Sequence, residues 1–207
     1  MAARFSHWFC VLASLWLISF AVRAADAPPW IGADWGADEG AVAAALGERA
    51  LRLDPPIEYG PLSARLAAKD VAVGGVSMTA LYQFGLDGGL KQVLLERRDP
   101  GANPKNLAAI EQALSAELGQ PAASCERRRG SPKLAERRWR LKGDSVRLVL
   151  MDYTGVALRH DGNRDTVNPL IPSYEYTLYS RRSVPKRIVL RVFPASDAAL
   201  EGPPPCG

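Results

Sequence analysis

Residues 76–97 read VSMTALYQF, then GLDGG, then LKQVLLER. In the first part Val76, Met78, Ala80, Tyr82 and Phe84 alternate with Ser77, Thr79, Leu81 and Gln83, and a period of two marks an extended strand with two unlike faces. Gly85, Gly88 and Gly89, with Asp87 among them, tolerate the positive φ of a tight turn. Leu90 to Arg97 then returns with Val93 and Leu95 on one face. The stretch predicts an antiparallel β-hairpin, and the rest of the chain is read outward from it.

Downstream, Asn103-Pro104 supplies a cap and a first-turn proline, and Leu107, Ile110, Leu114 and Leu118 recur at helical spacing until Gly119 and Pro121 stop the helix. After a turn-rich segment, Ser124 to Lys133, a second hairpin is expected from Glu136 to Leu141 and Ser145 to Tyr153 around Lys142-Gly143-Asp144. Further strands are expected at Tyr174 to Arg182 and Ile188 to Phe193, and an irregular tail from Pro194. Upstream, Asp38 caps a helix carrying Val42, Leu46, Arg49, Ala50 and Leu53, ended by Pro55-Pro56, and Leu62 to Lys69 suggests a second, short helix. The fold class expected is α+β, an antiparallel sheet with two helices packed on one face. The helix ends Ala44-Ala45-Leu46-Gly47 and Ala116-Glu117-Leu118-Gly119 match at several positions, which raises a degenerate tandem repeat with halves 36–98 and 103–193 inside one domain, 25–207.

A chain of 207 residues with 47% hydrophobic and 23% charged residues can bury a core, which excludes wholesale disorder. Its 18 Gly and 16 Pro point to many turns and argue against a large helical bundle. In organisation, with Leu46-Gly47, Leu118-Gly119 and the hairpin that contains Trp139, the chain loosely resembles small bacterial envelope proteins built from helix-plus-hairpin units, the outer-membrane assembly lipoproteins and β-lactamase-inhibitor type repeats. The resemblance covers about half of the mature chain and implies no functional residue. Unlike the lipoproteins, the chain has no lipidation cysteine, since Cys10 lacks the preceding Leu-small-small pattern.

Met1 to His7 carries Arg4 and no acid, Trp8 to Val22 has no formal charge, and Val22-Arg23-Ala24 offers short side chains for cleavage. Residues 1–24 therefore read as a secretory signal peptide, with maturation at Ala25 and a periplasmic or secreted destination. The apolar run is shorter than the roughly 20 residues that span a bilayer, so no stable membrane span is expected after cleavage. Removing Arg4 and Arg23 lowers the formal charge from +4 to +2, too little to argue for nucleic acid. The arginine groups at 97–98, 127–129, 137–138 and 181–182 read as solvated strand ends and turns.

Cleavage leaves Cys125 and Cys206 in an oxidising compartment, where one disulfide is the simplest outcome and two unpaired cysteines the alternative. A bridge closing about 80 residues would be worth roughly 4 to 5 kcal/mol in the chain-entropy model.

His160 is the one histidine left after cleavage, in Arg159-His160-Asp161-Gly162-Asn163-Arg164-Asp165, with no nucleophile motif beside it. Asp161, Asn163 and Asp165 have calcium-loop spacing, but Thr166 and Pro172 stand where that loop needs Gly and Glu. Tyr174, Tyr176, Tyr179 and Trp139 could form an aromatic surface or pack in the core. No catalytic, cofactor-binding or metal residues are assigned. The function expected is a non-enzymatic module that binds an envelope protein or surface. The alternative is a small hydrolase or metal-dependent enzyme using the 160–165 loop.

Overall fold

Among the described residues a helix followed by four strands occurs twice, and the two sets of strands meet edge to edge in one sheet. The computed structural model describes residues 31–98, 100–128, 133–152 and 186–202. The first set is α1 (Glu39–Leu46), β1 (Leu51–Tyr59), β2 (Leu62–Val73), β3 (Val76–Phe84) and β4 (Leu90–Arg98). The second is α2 (Pro104–Leu118), β5 (Ala123–Arg127), β6 (Lys133–Arg140), β7 (Asp144–Asp152) and β8 (Arg187–Pro194), followed by a single helical turn, α3 (Ala198–Glu201). The strand order is β1-β2-β3-β4-β8-β7-β6-β5 and every neighbour is antiparallel. β4 and β8 therefore form the seam between the sets, in register from Val93 opposite Val192 to Arg98 opposite Arg187.

Alternation sorts the strand residues into two clusters. Met78, Ala80, Tyr82, Phe84, Val93, Leu95, Val146, Leu148, Ile188, Leu190 and Val192 join the larger one, together with Val42 and Leu46 of α1 and Leu107, Ile110 and Leu114 of α2. Burying one such side chain is worth about 1.5 to 3 kcal/mol, so this cluster is the main source of stability. The opposite set of positions holds a smaller cluster, Ala64, Ala67, Leu81, Leu94, Val149, Met151 and Val189, interrupted by buried polar and charged side chains.

Local chemistry sets the element ends. The Asp38 carboxylate accepts from the Ala41 amide at 2.8 Å and the Asn103 side chain from the Asn106 amide at 2.9 Å, each capping a helix start. Gly47 and Gly119 close the two helices at φ 58° and 86°. Before α1, Gly36 donates to the Leu90 carbonyl at 2.9 Å, and the Trp35 indole donates to Asp144 at 2.6 Å, so this entry segment ties the two sets together.

The hairpin of residues 76–97, the helix after Asn103, the second hairpin and the last strand appear where the sequence places them. Four expectations need correction. Leu62–Lys69 is not a helix but the start of β2, hydrogen-bonded on one edge to β1 and on the other to β3. The first helix ends at Leu46; after a short 3-10 turn, Leu53 and Pro55-Pro56 lie in β1, an edge strand that tolerates proline because one edge needs no ladder donor. Overlapping the start of the turn-rich segment expected at Ser124 to Lys133, Ala123–Arg127 is the opposite edge strand. The expected irregular tail opens with the turn of α3. The signal peptide 1–24 and the strand expected at 174–182 lie outside the described residues.

Candidate functional site

At the end of β2, β3 and β4 farthest from the Gly85–Gly89 turn, a cleft of about 490 Å³ opens. That volume falls in the range of small-ligand sites, about 300 to 1,000 Å³. Ile57 and Leu81 give it an apolar wall, Ser77 and Thr79 hydroxyls, Asp70 and Glu96 carboxylates, and Lys69 and Arg98 cations, while Met78 and Arg97, which also border it, belong by register to the opposite face of the sheet.

The cleft exists because β2 bulges. Its register with β3 shifts between Ala68 and Val71, and Asp70 takes a left-handed φ of 57° there. Asp is one of the few non-glycine residues that adopt this conformation routinely. Asp70 then accepts a hydrogen bond from the Ser77 hydroxyl at 2.8 Å across the hairpin. Across the cleft, Glu96 is almost fully buried and receives Arg98 through Nε at 2.9 Å and Nη2 at 3.1 Å, and it also pairs with Arg187. Both carboxylates of the lining are thus engaged.

Lys69 and Arg97 differ. Among the described residues Lys69 forms no ion pair, and its residue is exposed. Arg97 has a buried Nε without a hydrogen-bond partner, and its guanidinium stem passes so close to Gly101 that a Cβ there would lie 2.0 Å from Nε. Gly101 is therefore the residue that lets Arg97 reach its position. On the cleft's own face Lys69 is the cation without an ion pair among the described residues, beside the hydroxyls of Ser77 and Thr79 and the apolar Ile57 and Leu81.

A second concentration of charge lies along the sheet. Leu51, Ala67, Leu81, Leu94, Arg191, Arg147, Arg138 and Ala123 are successive cross-strand neighbours, one from each of the eight strands. Three arginines stand side by side, and like charges at directly opposed positions repel. Glu136, 1% exposed, lies between two of them and pairs with Arg138 at 2.6 Å and with Arg147 at 2.7 Å. Arg191 donates to the Gln92 side-chain oxygen at 2.8 Å and to the Leu200 carbonyl of α3 at 3.1 Å. Glu201 accepts from Ser145 at 3.1 Å and pairs with Arg140, so α3 is fastened over this row by polar contacts. Burial pushes the Arg191 guanidinium down to about 10, with Arg147 and Arg138 adding to the shift, yet it stays charged at neutral pH. Burial lowers Arg147 as well, against the opposing pull of Glu136.

Cys125 is on β5, half-buried, and its proposed partner Cys206 lies outside the described residues, as do His160, Asp161, Asn163, Asp165, Tyr174, Tyr176 and Tyr179. Trp139 is a core residue, 2% exposed, with its indole donating to the Gly119 carbonyl at 2.9 Å, which removes it from any aromatic binding surface. Arg98, Arg137 and Arg138 are not solvated ends: each is held by a carboxylate, Arg137 by Glu111 at 2.7 Å. Among the described residues no group of three or more His, Cys, Asp or Glu could hold a metal, and no helix is long and apolar enough to cross a membrane.

One sign of the cleft is present in the sequence. Val73-Gly74-Gly75-Val76 is a two-residue hairpin signal, and reading it would have made Leu62–Val73 a strand and placed Lys69 and Asp70 beside Ser77. No family model, curated protein or solved structure matches the chain.

Proposed function

We propose that the protein is an exported, non-enzymatic binding module, periplasmic or secreted, that holds an envelope component in the cleft between Ile57, Lys69, Ser77 and Thr79. The observation that carries this reading is a space of ligand size in which the exposed Lys69 and the hydroxyls of Ser77 and Thr79 stand beside Ile57 and Leu81. A photo-crosslinking residue at Thr79 tests it in living cells. The expected outcome is a discrete adduct with one envelope component that disappears in Lys69→Glu, and no such adduct from a probe at Leu86, which is 96% exposed at the far hairpin tip. Adducts of equal pattern from both positions would refute the assignment.

Export through removal of residues 1–24 belongs to the same reading, and N-terminal sequencing should find Ala25. An intact Met1 on membrane-embedded protein would contradict it. We also read the chain as one domain with half-repeats 36–98 and 103–193 and with α1 and α2 on the same side of the sheet. The symmetric strand order and the shared membership of Val42, Leu46, Leu107, Ile110 and Leu114 in the larger cluster support this.

A Cys125–Cys206 disulfide is the last part of the proposal. Cys125 stands opposite Glu136, which stands opposite Val149, so its side chain shares the sheet face of Arg147. A Cβ on Gly202 would lie 2.9 Å from Arg147 Nη1, which fixes the chain end over that face. Two strand spacings and two residues separate Arg147 from Cys125, about 12 Å, and four extended residues beyond Gly202 reach up to about 14 Å. Peptide mapping of the non-reduced protein should recover the linked pair; quantitative labelling of two thiols would exclude it.

A further inference from the structure

We propose that α3 is a displaceable plug in an oxyanion site formed by Arg140, Ser145, Arg147 and Arg191, and that the ligand of this site is a phosphate or phosphate monoester. The site lies on β6, β7 and β8, apart from the cleft, and does not depend on the cleft being a binding site. Register puts the four side chains on one face. Arg191 is opposite Arg147, Ser145 is two residues before Arg147 on β7, and Arg140 is opposite Ser145. Arg147 and Arg191 are 5% and 8% exposed, so both guanidinium groups are held away from bulk water.

What α3 presents to these donors is what an oxyanion would present. The Leu200 carbonyl accepts from Arg191 Nη2 at 3.1 Å, and the Glu201 carboxylate accepts from the Ser145 hydroxyl at 3.1 Å and pairs with Arg140 at 3.1 Å. Gly202 closes over Arg147, whose buried Nη1 has no hydrogen-bond partner among the described residues. A buried donor left in this state is costly. Among the described residues Arg191 has no ion pair, and its acceptors are the neutral Gln92 side chain and the Leu200 carbonyl. Burial lowers Arg191 to about 10 and also lowers Arg147, and in both the Glu201 charge is among those that oppose the fall. On the α3 side, then, one carboxylate faces three cations. A phosphate monoester brings close to twice that charge and three acceptor oxygens, and guanidinium groups match its geometry.

Little holds α3 in place. It is four residues long, contributes no buried residue, and Asp197 at its start makes no side-chain cap. A single turn is marginal as a helix without packing. Just before it the Ala195 amide donates to the Gly143 carbonyl at 2.9 Å, so displacement pivots on the residues that follow.

The test uses the full mature chain at constant ionic strength, with inorganic phosphate, glycerol 3-phosphate and acetate as probes. Calorimetry gives the affinity, and amide shifts and relaxation of residues 145–147, 191 and 198–202 locate the site. The expected result is saturable phosphate binding, increased motion of residues 198–202 at saturation, and acetate weaker by about ten-fold or more. Glu201→Gln weakens the internal competitor and should tighten phosphate binding by about ten-fold, the opposite of what losing a ligand contact does. Gly202→Ala removes no charge but strains the docked tail, since its φ is 68° and its Cβ would lie 2.9 Å from Arg147 Nη1, and it should also tighten binding. Arg147→Met leaves Glu136 paired with Arg138 and should weaken binding by about ten-fold or more. If that variant does not fold, the two tail variants decide alone. Relative affinity for inorganic phosphate and glycerol 3-phosphate separates the free ion from an ester head group.

If phosphate binds but Glu201→Gln and Gly202→Ala leave the affinity unchanged or lower it, α3 is part of the site and its displacement is refuted. Acetate binding as tightly as phosphate overturns the phosphate assignment. Shifts at residues 69–79 in place of 145–147 and 191, or no saturable phosphate binding by wild type and both tail variants, overturn the site itself.

Discussion

The row of side chains that crosses all eight strands is built in two ways. On the first set of strands it runs Leu51, Ala67, Leu81 and Leu94; on the second it runs Arg191, Arg147, Arg138 and Ala123. Pairing is antiparallel on both sides of the seam, with register shifts in the first set only. What differs is the source of cohesion. The aliphatic half gains from area removed from water, so each residue contributes on its own account. The arginine half holds three like charges close together, and it is stable only because Glu136, Gln92 and the end of α3 meet them. Buried ion pairs add little over an apolar equivalent, whereas a buried charge that loses its partner is costly. The aliphatic half should therefore fail gradually and the charged half abruptly.

Glu136→Ala is the severest way to break that contrast. It leaves Arg147 and Arg138 without their shared carboxylate and should cost about 3 to 5 kcal/mol, measured as a fall in the urea midpoint. Leu81→Ala, in the aliphatic half, should cost about 2 to 4 kcal/mol through lost burial and a residual cavity. The double variant Glu136→Leu with Arg147→Met sharpens the point: it removes the pair together and should recover most of the loss from Glu136→Ala. If the double variant is as unstable as the single one, the charged half owes its cohesion to something other than compensated charge.

The hairpin turns provide the next contrast. Gly74, between β2 and β3, has φ 58°, and a Cβ there would lie 2.4 Å from the Ala109 carbonyl oxygen of α2. Gly143, between β6 and β7, would meet nothing within 4 Å. Gly74→Ala should therefore cost about 2 kcal/mol or more by combining backbone strain with displacement of α2, while Gly143→Ala should stay within about 0.5 kcal/mol. Thermal unfolding of the two variants side by side checks this. Equal effects would mean that α2 does not hold the first turn.

Smaller still is the capping loss. Asn103→Ala should cost about 1 kcal/mol, because the Asn106 amide loses its acceptor, and Asn103→Asp should restore it. The smallest effect concerns acid. Hydrogen bonds from Arg128 and then Arg137 hold the Glu126 carboxyl below its usual range. A carboxylate depressed in the folded state contributes stability above its unfolded pKa, about 4.3, and that stability is lost as pH falls through the lower folded value. Because Glu126 is largely solvent-screened, Glu126→Gln should flatten the acid limb of the stability profile only slightly.

Legibility followed locality. The residue 76–97 hairpin and α2 carry their information in short windows: strict alternation around a glycine turn, and Asn103-Pro104 before an apolar stripe. β2 does not. Its register slips between Ala64 and Leu66 and again between Ala68 and Val71, so alternation is lost, and Leu62, Leu66 and Lys69 imitate a helical face. A segment this short is marginal as an isolated helix, and pairing on both edges decides it. β5 was hidden for another reason: an edge strand bearing Glu126 and Arg127 looks like a polar turn, and charge is how such edges avoid further pairing. The cleft draws on Ile57, Lys69, Ser77 and Arg98 from four strands, so no local motif announces it. The arginine row was invisible because each of its members occupies an ordinary alternate position in its own strand, and only cross-strand register brings them together.

The position of β8 has a consequence for how the molecule is made. Of the described strands it is the last to be synthesised, yet it lies in the middle of the sheet, between β4 and β7. Until Arg187–Pro194 has emerged, β4 presents a bare edge of Val93, Leu94 and Leu95, and so does β7 with Val146, Leu148 and Val149. Nascent chains therefore pass through a stage with two unpaired apolar edges, the kind of surface that recruits neighbouring chains into aggregates. Closing that gap late, with partners about 90 and 40 residues apart in sequence, makes assembly slow by topology. A holding chaperone that shields β4 during synthesis would act on the step where this protein is most exposed to misassembly.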